Sequence, residues 1–214
     1  KSTYINLRWI AIIGQLITIN VIYFIFIFNF NLIIENLIIL IGLLSNIYLI
    51  YINKNTQLSD KTGFLFLLID ILQLSSLIYF TGGVTNPFSI FLIIPCIFSS
   101  LYLGFRSSIL LISITILIII FLTFFSHPLP SPVSEHFHVD NYYYYSMPIA
   151  LIIALIFLNY FALSFGKESR IRKEALNKME EIMSKEHELL SLGGQAAAAA
   201  HSLGTPFSTI KIIS

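Results

Sequence analysis

Charge is scarce in this sequence, and cysteine scarcer still. Of 214 residues only 11% are Asp, Glu, Lys or Arg, whereas 57% are hydrophobic and the mean hydropathy is +0.86. A water-soluble domain of this length needs far more surface charge, so the fitting class is an all-α, multi-span membrane protein. The single cysteine, Cys96, excludes a disulfide framework, a Cys-x-x-Cys motif and a cysteine metal site. It lies in an apolar segment, where it is expected to pack as a small hydrophobe. A net charge of +1 says little about partners, and no direct nucleic-acid partner is expected. The chain opens on Lys1 rather than Met and breaks off at Ser214 within a helical pattern, so both ends read as truncated.

Long apolar runs are what the sequence has instead. Six are long enough to cross a hydrocarbon core about 30 Å thick, which takes about 20 helical residues. They cover residues 10–28, 32–52, 63–80, 88–103, 108–125 and 147–165, the fourth being the shortest. No small-residue cleavage site follows the first, which argues against a signal peptide. The basic residues then orient the bundle. Lys1 and Arg8 precede the first span, Lys54 and Lys61 lie between the second and third, and Arg106 lies between the fourth and fifth. Lys167 and all later ones follow the sixth span, so the 12 Lys and Arg fall on one side. The connections at 29–31, 81–87 and 126–146 carry none. The positive-inside rule makes the basic side cytoplasmic, with both termini there, as in the inner (cytoplasmic) membrane of a bacterium.

After Gly166 the composition changes abruptly to dense mixed charge. Three segments are expected: a six-helix transmembrane domain at 1–166, a linker or coiled-coil helix at 167–192, and the start of a helical hairpin at 193–214. Leu176, Met179, Met183 and Leu190 recur at heptad-like spacing, which reads either as a stalk joining two copies or as a solvated anchor helix. Gly193 and Gly194 offer a helix break. Five alanines, the best helix formers, then lead to His201-Ser-Leu-Gly-Thr-Pro-Phe. On a helix Thr205 falls one turn after His201 on the same face, and Pro206 is expected to bend the helix. A histidine in a helix is more often structural than catalytic. This one follows an alanine run and precedes a Thr-Pro kink.

Residues 193–210 resemble the H-box of the RegB/PrrB/ActS-type redox-responsive sensor histidine kinases, which usually reads alanine run, then His-Glu-Leu-Gly-Thr-Pro-Leu. The resemblance implies that His201 accepts a phosphoryl group from ATP and passes it to an aspartate of a response regulator. A neutral imidazole nitrogen suits that nucleophilic role. It further implies that Thr205 positions water for a phosphatase reaction, that the protein is a homodimer, and that an ATP- and Mg-binding domain lies beyond Ser214. The sequence departs at Ser202, where the family usually carries an acid thought to take the histidine's proton. A serine hydroxyl can hydrogen-bond the ring but cannot act as a base at neutral pH.

Between the third and fourth spans stands Thr-Gly-Gly-Val-Thr-Asn-Pro-Phe. By itself this is a pair of turn signals in a short outer hairpin. Gly82-Gly83-x-x-Asn86-Pro87-Phe88 also matches the heptapeptide that the same kinase family associates with ubiquinone sensing. On that reading the glycines let backbone N–H groups approach a quinone carbonyl, the Asn86 amide donates to it and Phe88 stacks on the ring. Quinone and quinol differ by two hydroxyl donors, and the bias on the helices can be no larger than the resulting difference in binding.

Asp70, mid-span in the third helix with Gln73 one turn on, is either a functional carboxylate or an interhelical hydrogen bond. Family members tend to carry a similar acidic-then-Gln pattern. His127, Glu135, His136, His138 and Asp140 share the last outer connection. His136 and His138 would present a metal pair on an extended strand, but no third ligand stands at diagnostic spacing, so a polar loop is the simpler reading. Tyr142 to Tyr145 suit an aromatic belt. The family's redox-active cysteine lies beyond the H-box, and Cys96 does not inherit its role.

Two other classes fit part of the pattern: a quinone-binding six-span membrane protein or small transporter, and a membrane anchor without catalysis. A transporter is expected to show internal repeats or paired broken helices, which this sequence lacks. An anchor has no use for the face shared by His201 and Thr205. The substitution at Ser202 gives a first test. In a chain fused to an ATP-binding domain, Ser202→Glu is expected to speed autophosphorylation of His201; an unchanged rate contradicts the base-deficiency argument.

Overall fold

The computed structural model describes residues 2–52, 59–130 and 140–213, with side chains over 3–51, 59–130 and 140–199. It contains six α-helices: α1 (Ser2–Phe24), α2 (Leu32–Ile52), α3 (Asp60–Phe80), α4 (Ile93–Tyr102), α5 (Phe105–Phe125) and α6 (Asn141–Ile213). Two 3-10 turns, Gly83–Thr85 and Pro87–Leu92, join α3 to α4. Among the described residues, five helices are long and apolar enough to cross a membrane, and a shorter apolar stretch, Pro87–Tyr102, accompanies them. The protein is therefore a multi-pass, all-α membrane protein. By packing, the chain divides into two units, Lys1–Gly166 and Lys167–Ser214.

In the first unit α3 is central. It packs on α2, α4, α5 and both 3-10 turns, while α1 packs along α2. Its start is firmly set. Ser59 caps it through a hydrogen bond from the Thr62 N–H, and Asp60 in the first turn suits the helix dipole. Asp60 also accepts the Gly104 N–H at 2.6 Å and the Ser107 hydroxyl at 2.7 Å, tying the start of α3 to the start of α5. The main core joins Leu67, Ile71 and Ile78 of α3 to Leu92, Cys96, Leu111, Ile119, Leu122 and Leu155. Cys96 is fully buried with its thiol 3.1 Å from the Thr115 hydroxyl. Small polar residues allow the remaining helices close approach, as expected where water cannot drive association. Ser108 donates to the Ser99 carbonyl at 2.8 Å, and Ser100 donates to Asn159 of α6 at 2.7 Å.

Three expectations need correction. The first span begins at Ser2 rather than residue 10, because Arg8 lies inside the helix and is only 5% exposed. The fourth span opens as a 3-10 helix, whose steeper rise lets 16 residues cover about 27 Å. Pro95 falls in the first turn of α4, where its missing N–H costs nothing. Finally, α6 continues through Gly193 and Gly194 without a break. Two glycines cost about 2 kcal/mol of helix propensity, an amount that flanking strong helix formers offset. Ion pairs Glu168–Arg172 at 2.5 Å and Glu181–Lys185 at 2.7 Å support α6 at the favourable i,i+4 spacing.

The turn after α3 depends on its glycines. Gly82 and Gly83 have φ of +111° and +59°. A Cβ on Gly83 would lie 2.1 Å from the Ser126 Oγ and 2.7 Å from the Leu122 carbonyl oxygen. Gly83→Ala is therefore expected to destabilise the bundle by about 2 kcal/mol or more through left-handed strain and overpacking. Thermal unfolding in detergent, followed by circular dichroism, measures this; an unchanged midpoint contradicts it.

Candidate functional site

Asp70 has a partner. The Arg8 Nε of α1 donates to its Oδ1 at 2.8 Å, with Nη2 2.6 Å from the same oxygen. The Tyr4 hydroxyl donates to Oδ2 at 2.5 Å. Arg8 also reaches α2, donating from Nη2 to the Ser45 Oγ at 2.5 Å. Its guanidinium carbon lies 5.6 Å from the Tyr4 ring centroid and 5.5 Å from that of Phe66, within cation–π range. Three helices thus meet at one ion pair. A buried pair is strongly disfavoured if either partner is removed, since the remaining charge has nothing to compensate it.

About two turns further along α1, Gln15 and Gln73 form a reciprocal amide pair, with Gln73 Nε2 donating at 2.9 Å and Gln15 Nε2 donating at 3.5 Å. Gly42 makes room for it, since a Cβ there would stand 3.3 Å from the Gln73 Cδ. Both layers border a single cavity of about 1130 Å³. Its α1 wall runs from Tyr4 to Ile22, about 27 Å of helix. Ile, Leu and Phe supply about half of the lining, and its polar groups on α1 and α3 are Tyr4, Arg8, Gln15, Thr18, Asp70 and Gln73. Thr85, Asn86, Pro87 and Phe88 border the same space.

The two sequence-flagged regions of the membrane domain, Asp70 with Gln73 and the heptapeptide, therefore face one cavity. Gly82 and Gly83 are buried against Leu129, Ser126 and Leu122 and do not line the cavity. The Asn86 amide is committed, donating to the Thr81 carbonyl at 2.9 Å and the Thr81 Oγ1 at 2.8 Å. Its Oδ1 accepts the Phe88 N–H at 2.9 Å, capping the 3-10 helix that follows. Asn86 is thus a brace for the turn. Pro87 and Phe88 remain exposed on the cavity wall, with the Phe88 ring 5.8 Å from that of Phe91.

Arg8, Tyr4, Gln15 and Ser45 escaped the sequence reading. Tyr4, Arg8 and Gln15 follow one another at spacings of four and seven on one helix face, a polar stripe in an apolar segment. That stripe is the signal the sequence carries, and position alone makes Arg8 look like a flanking charge. Glu35 and Asn46, on the buried face of α2, have no hydrogen-bond partner among the described residues and do not line the cavity. His127 packs between the rings of Tyr79 and Phe80. Asp140 borders the cavity, whereas Glu135, His136 and His138 lie outside the described residues. Among the described residues no cluster of His, Cys, Asp or Glu is arranged to hold a metal. His201, Ser202 and Thr205 fall within α6, and their side chains lie outside the described ones.

Comparison with known proteins adds to this geometry. The chain is 31% identical over 213 residues to the sensor histidine kinase RegB of Cereibacter sphaeroides, a match covering 99% of this chain and 46% of that protein. A second RegB sequence from the same species is 33% identical over 94 residues, 44% of this chain and 20% of the relative. The chain thus spans about half the length of the first of these. No solved structure is significantly similar to it. Residues 4–173 match the family model described as the PilS-like transmembrane domain. With its apolar helices and the extent of that match, the chain belongs to the family of PilS-like transmembrane domains.

Proposed function

We propose that this chain is the signal-input half of a membrane sensor histidine kinase of a two-component system. One observation carries the reading: similarity to RegB covers 99% of the chain, so it takes in both the heptapeptide, whose Asn86, Pro87 and Phe88 border the cavity, and His201. On this reading the basic side of the bundle is cytoplasmic, in a bacterial inner membrane. His201 is the phospho-acceptor, and Thr205 serves the phosphatase reaction. ATP and Mg are held by a further domain, and a response-regulator aspartate is the final acceptor. The protein works as a homodimer. Leu176, Met179, Met183 and Leu190 support that, being 59%, 59%, 66% and 67% exposed along a heptad-like seam of α6.

The signal we assign is the redox state of the quinone pool. The cavity suits the head of such a molecule. It is large and predominantly apolar, with a few polar groups. Phe88, exposed on its wall, offers a flat face for a ring. The helices around it sense the ligand only through the difference between its oxidised and reduced contacts.

A full-length kinase reconstituted in liposomes, joined to an ATP-binding domain, tests both parts. His201→Gln is expected to abolish labelling from ATP, and oxidised and reduced ubiquinone are expected to give different labelling rates. Phe88→Ala is expected to bring those two rates together while leaving the fold intact. Labelling that persists without His201 overturns the kinase reading; a redox response that survives Phe88→Ala removes the heptapeptide wall from the sensing.

A further inference from the structure

The polar layers that border the cavity leave an intramembrane acid unused. Glu35 stands in the first turn of α2, is 1% exposed, and neither of its carboxyl oxygens has a hydrogen-bond partner. It belongs to the buried stripe Glu35, Ile39, Gly42, Asn46 and Leu49, whose spacings of four and three keep to one helix face. Within that stripe Ile39 packs with Ile12 of α1 and Leu77 of α3, and Gly42 lies against Gln73. Asn46 is also fully buried, with neither amide atom paired. One face of α2 thus carries two polar side chains that its packing on α1 and α3 leaves without partners. Such groups are few in native structures, and each has a physical reason.

Among the described residues nothing compensates a charge on Glu35. Of the two helices packed on α2, α1 carries the titratable residues Tyr4, Arg8 and Tyr23. Tyr4 and Arg8 are bound to Asp70, and Arg8 meets α2 at Ser45, ten residues and about 15 Å along the helix from Glu35. Tyr23 packs its ring on Phe24 and Phe30. On α3 the titratable residues are Asp60, Lys61, Asp70 and Tyr79. Asp60 and Lys61 open that helix at the end remote from Glu35, and the Tyr79 ring packs on Phe80, Phe121 and His127. The dipole of α2 favours negative charge in its first turn but gives these oxygens no hydrogen bond. A bare carboxylate buried in this way is far more costly than the neutral acid.

We propose that Glu35 is a proton-binding site: the packed α2 holds its carboxyl with the proton on, and release of that proton opens this face of α2 to water. The proton is the whole ligand and is carried on the carboxyl itself, so the site needs no cavity of its own. Glu35 is the fourth residue of α2, directly after the connection at 29–31, so the proton is exchanged with that side of the membrane. Asn46 lowers the cost of opening, since its amide gains partners when the face separates. The packed and opened arrangements differ by one proton, and the proton concentration on that side sets their ratio. Gly42 lies against Gln73 and Ser45 accepts from Arg8, so movement of α2 reaches both polar layers that border the cavity. None of this depends on a quinone; the proton acts on the same bundle as an input of its own.

Infrared spectroscopy of the chain in nanodiscs reads the proton directly. Exposed carboxyl groups are ionised at neutral pH, so the C=O band of a protonated carboxyl marks a buried acid there. Wild-type chain is expected to show that band at neutral pH, Glu35→Gln to lose it, and rising pH to remove it from wild type. Thermal unfolding of the same samples reads the coupling to packing. The packed chain holds the proton and the unfolded chain gives it up, so stability is full at low pH, where a free glutamate also keeps its proton, and falls as pH rises. The wild-type midpoint is expected to drop, relative to Glu35→Gln, by about 4 °C per pH unit from about pH 4 until the infrared band is gone. Taking the difference cancels the titration of the histidines. A spectrum that Glu35→Gln leaves unchanged overturns the site, as does a midpoint difference that stays flat with pH. Should Glu35→Gln not fold, Glu35→Met, neutral and of similar length, replaces it; if neither folds, the site does not accept a neutral side chain and the proposal fails.

Discussion

A guanidinium and a carboxylate set among apolar helices must find each other, because the bilayer core offers neither of them water. The Arg8–Asp70 pair answers that constraint, and three helices meet at it. The pair pins α1 to the central helix α3, with Ser45 adding α2 and Tyr4 closing the second carboxylate oxygen. Elsewhere α1 packs mainly along α2, and Ile12 of α1 joins Ile39 and Leu77 in a small apolar cluster with α2 and α3. Between the two helices lies the cavity, bordered at separate points by the ion pair, the glutamine pair and the heptapeptide.

The ion pair and the apolar core differ in kind. Apolar packing in the main core, from Leu67 to Leu155, is dense and fully buried and has no reason to respond to a small ligand. Directional hydrogen bonds at the border of a cavity are the kind of contact a ligand can compete for. Glycine serves the opposite end of the design. Gly82 and Gly83 let the turn after α3 settle against Leu129 and Ser126, and Asn86 fixes the turn, so that Phe88 stands on a rigid wall.

The sequence disclosed much of this, and its failures have physical causes. Apolar runs located the helices, and the second span coincides with α2, a run bounded in the sequence by Asn31 and Asn53. Arg8 makes the first helix look shorter in the sequence than it is, since a charge ordinarily marks the end of a span. A charge neutralised within the bundle does not mark a boundary, and its partner stands 62 residues away, beyond any local pattern. Asp70 and Gln73 were legible as misplaced polarity, but their partners Arg8 and Gln15 were not. The glycines of the heptapeptide were legible as turn residues; that they pack on α5 and its following segment, rather than face the cavity, depends on tertiary approach that no motif encodes. Gly193 and Gly194 were read as a break on propensity alone, yet α6 runs through them.

The account stands or falls on whether a ring ligand occupies the cavity beside Arg8 and Asp70. Photo-affinity labelling of the chain in nanodiscs with an azido-ubiquinone, followed by peptide mapping, addresses this directly. The account predicts label on the cavity faces of α1 and α3, around Tyr4, Arg8 and Asp70, competed away by unlabelled quinone. Competable label confined to the lipid-facing surfaces of α2 and α5 contradicts it.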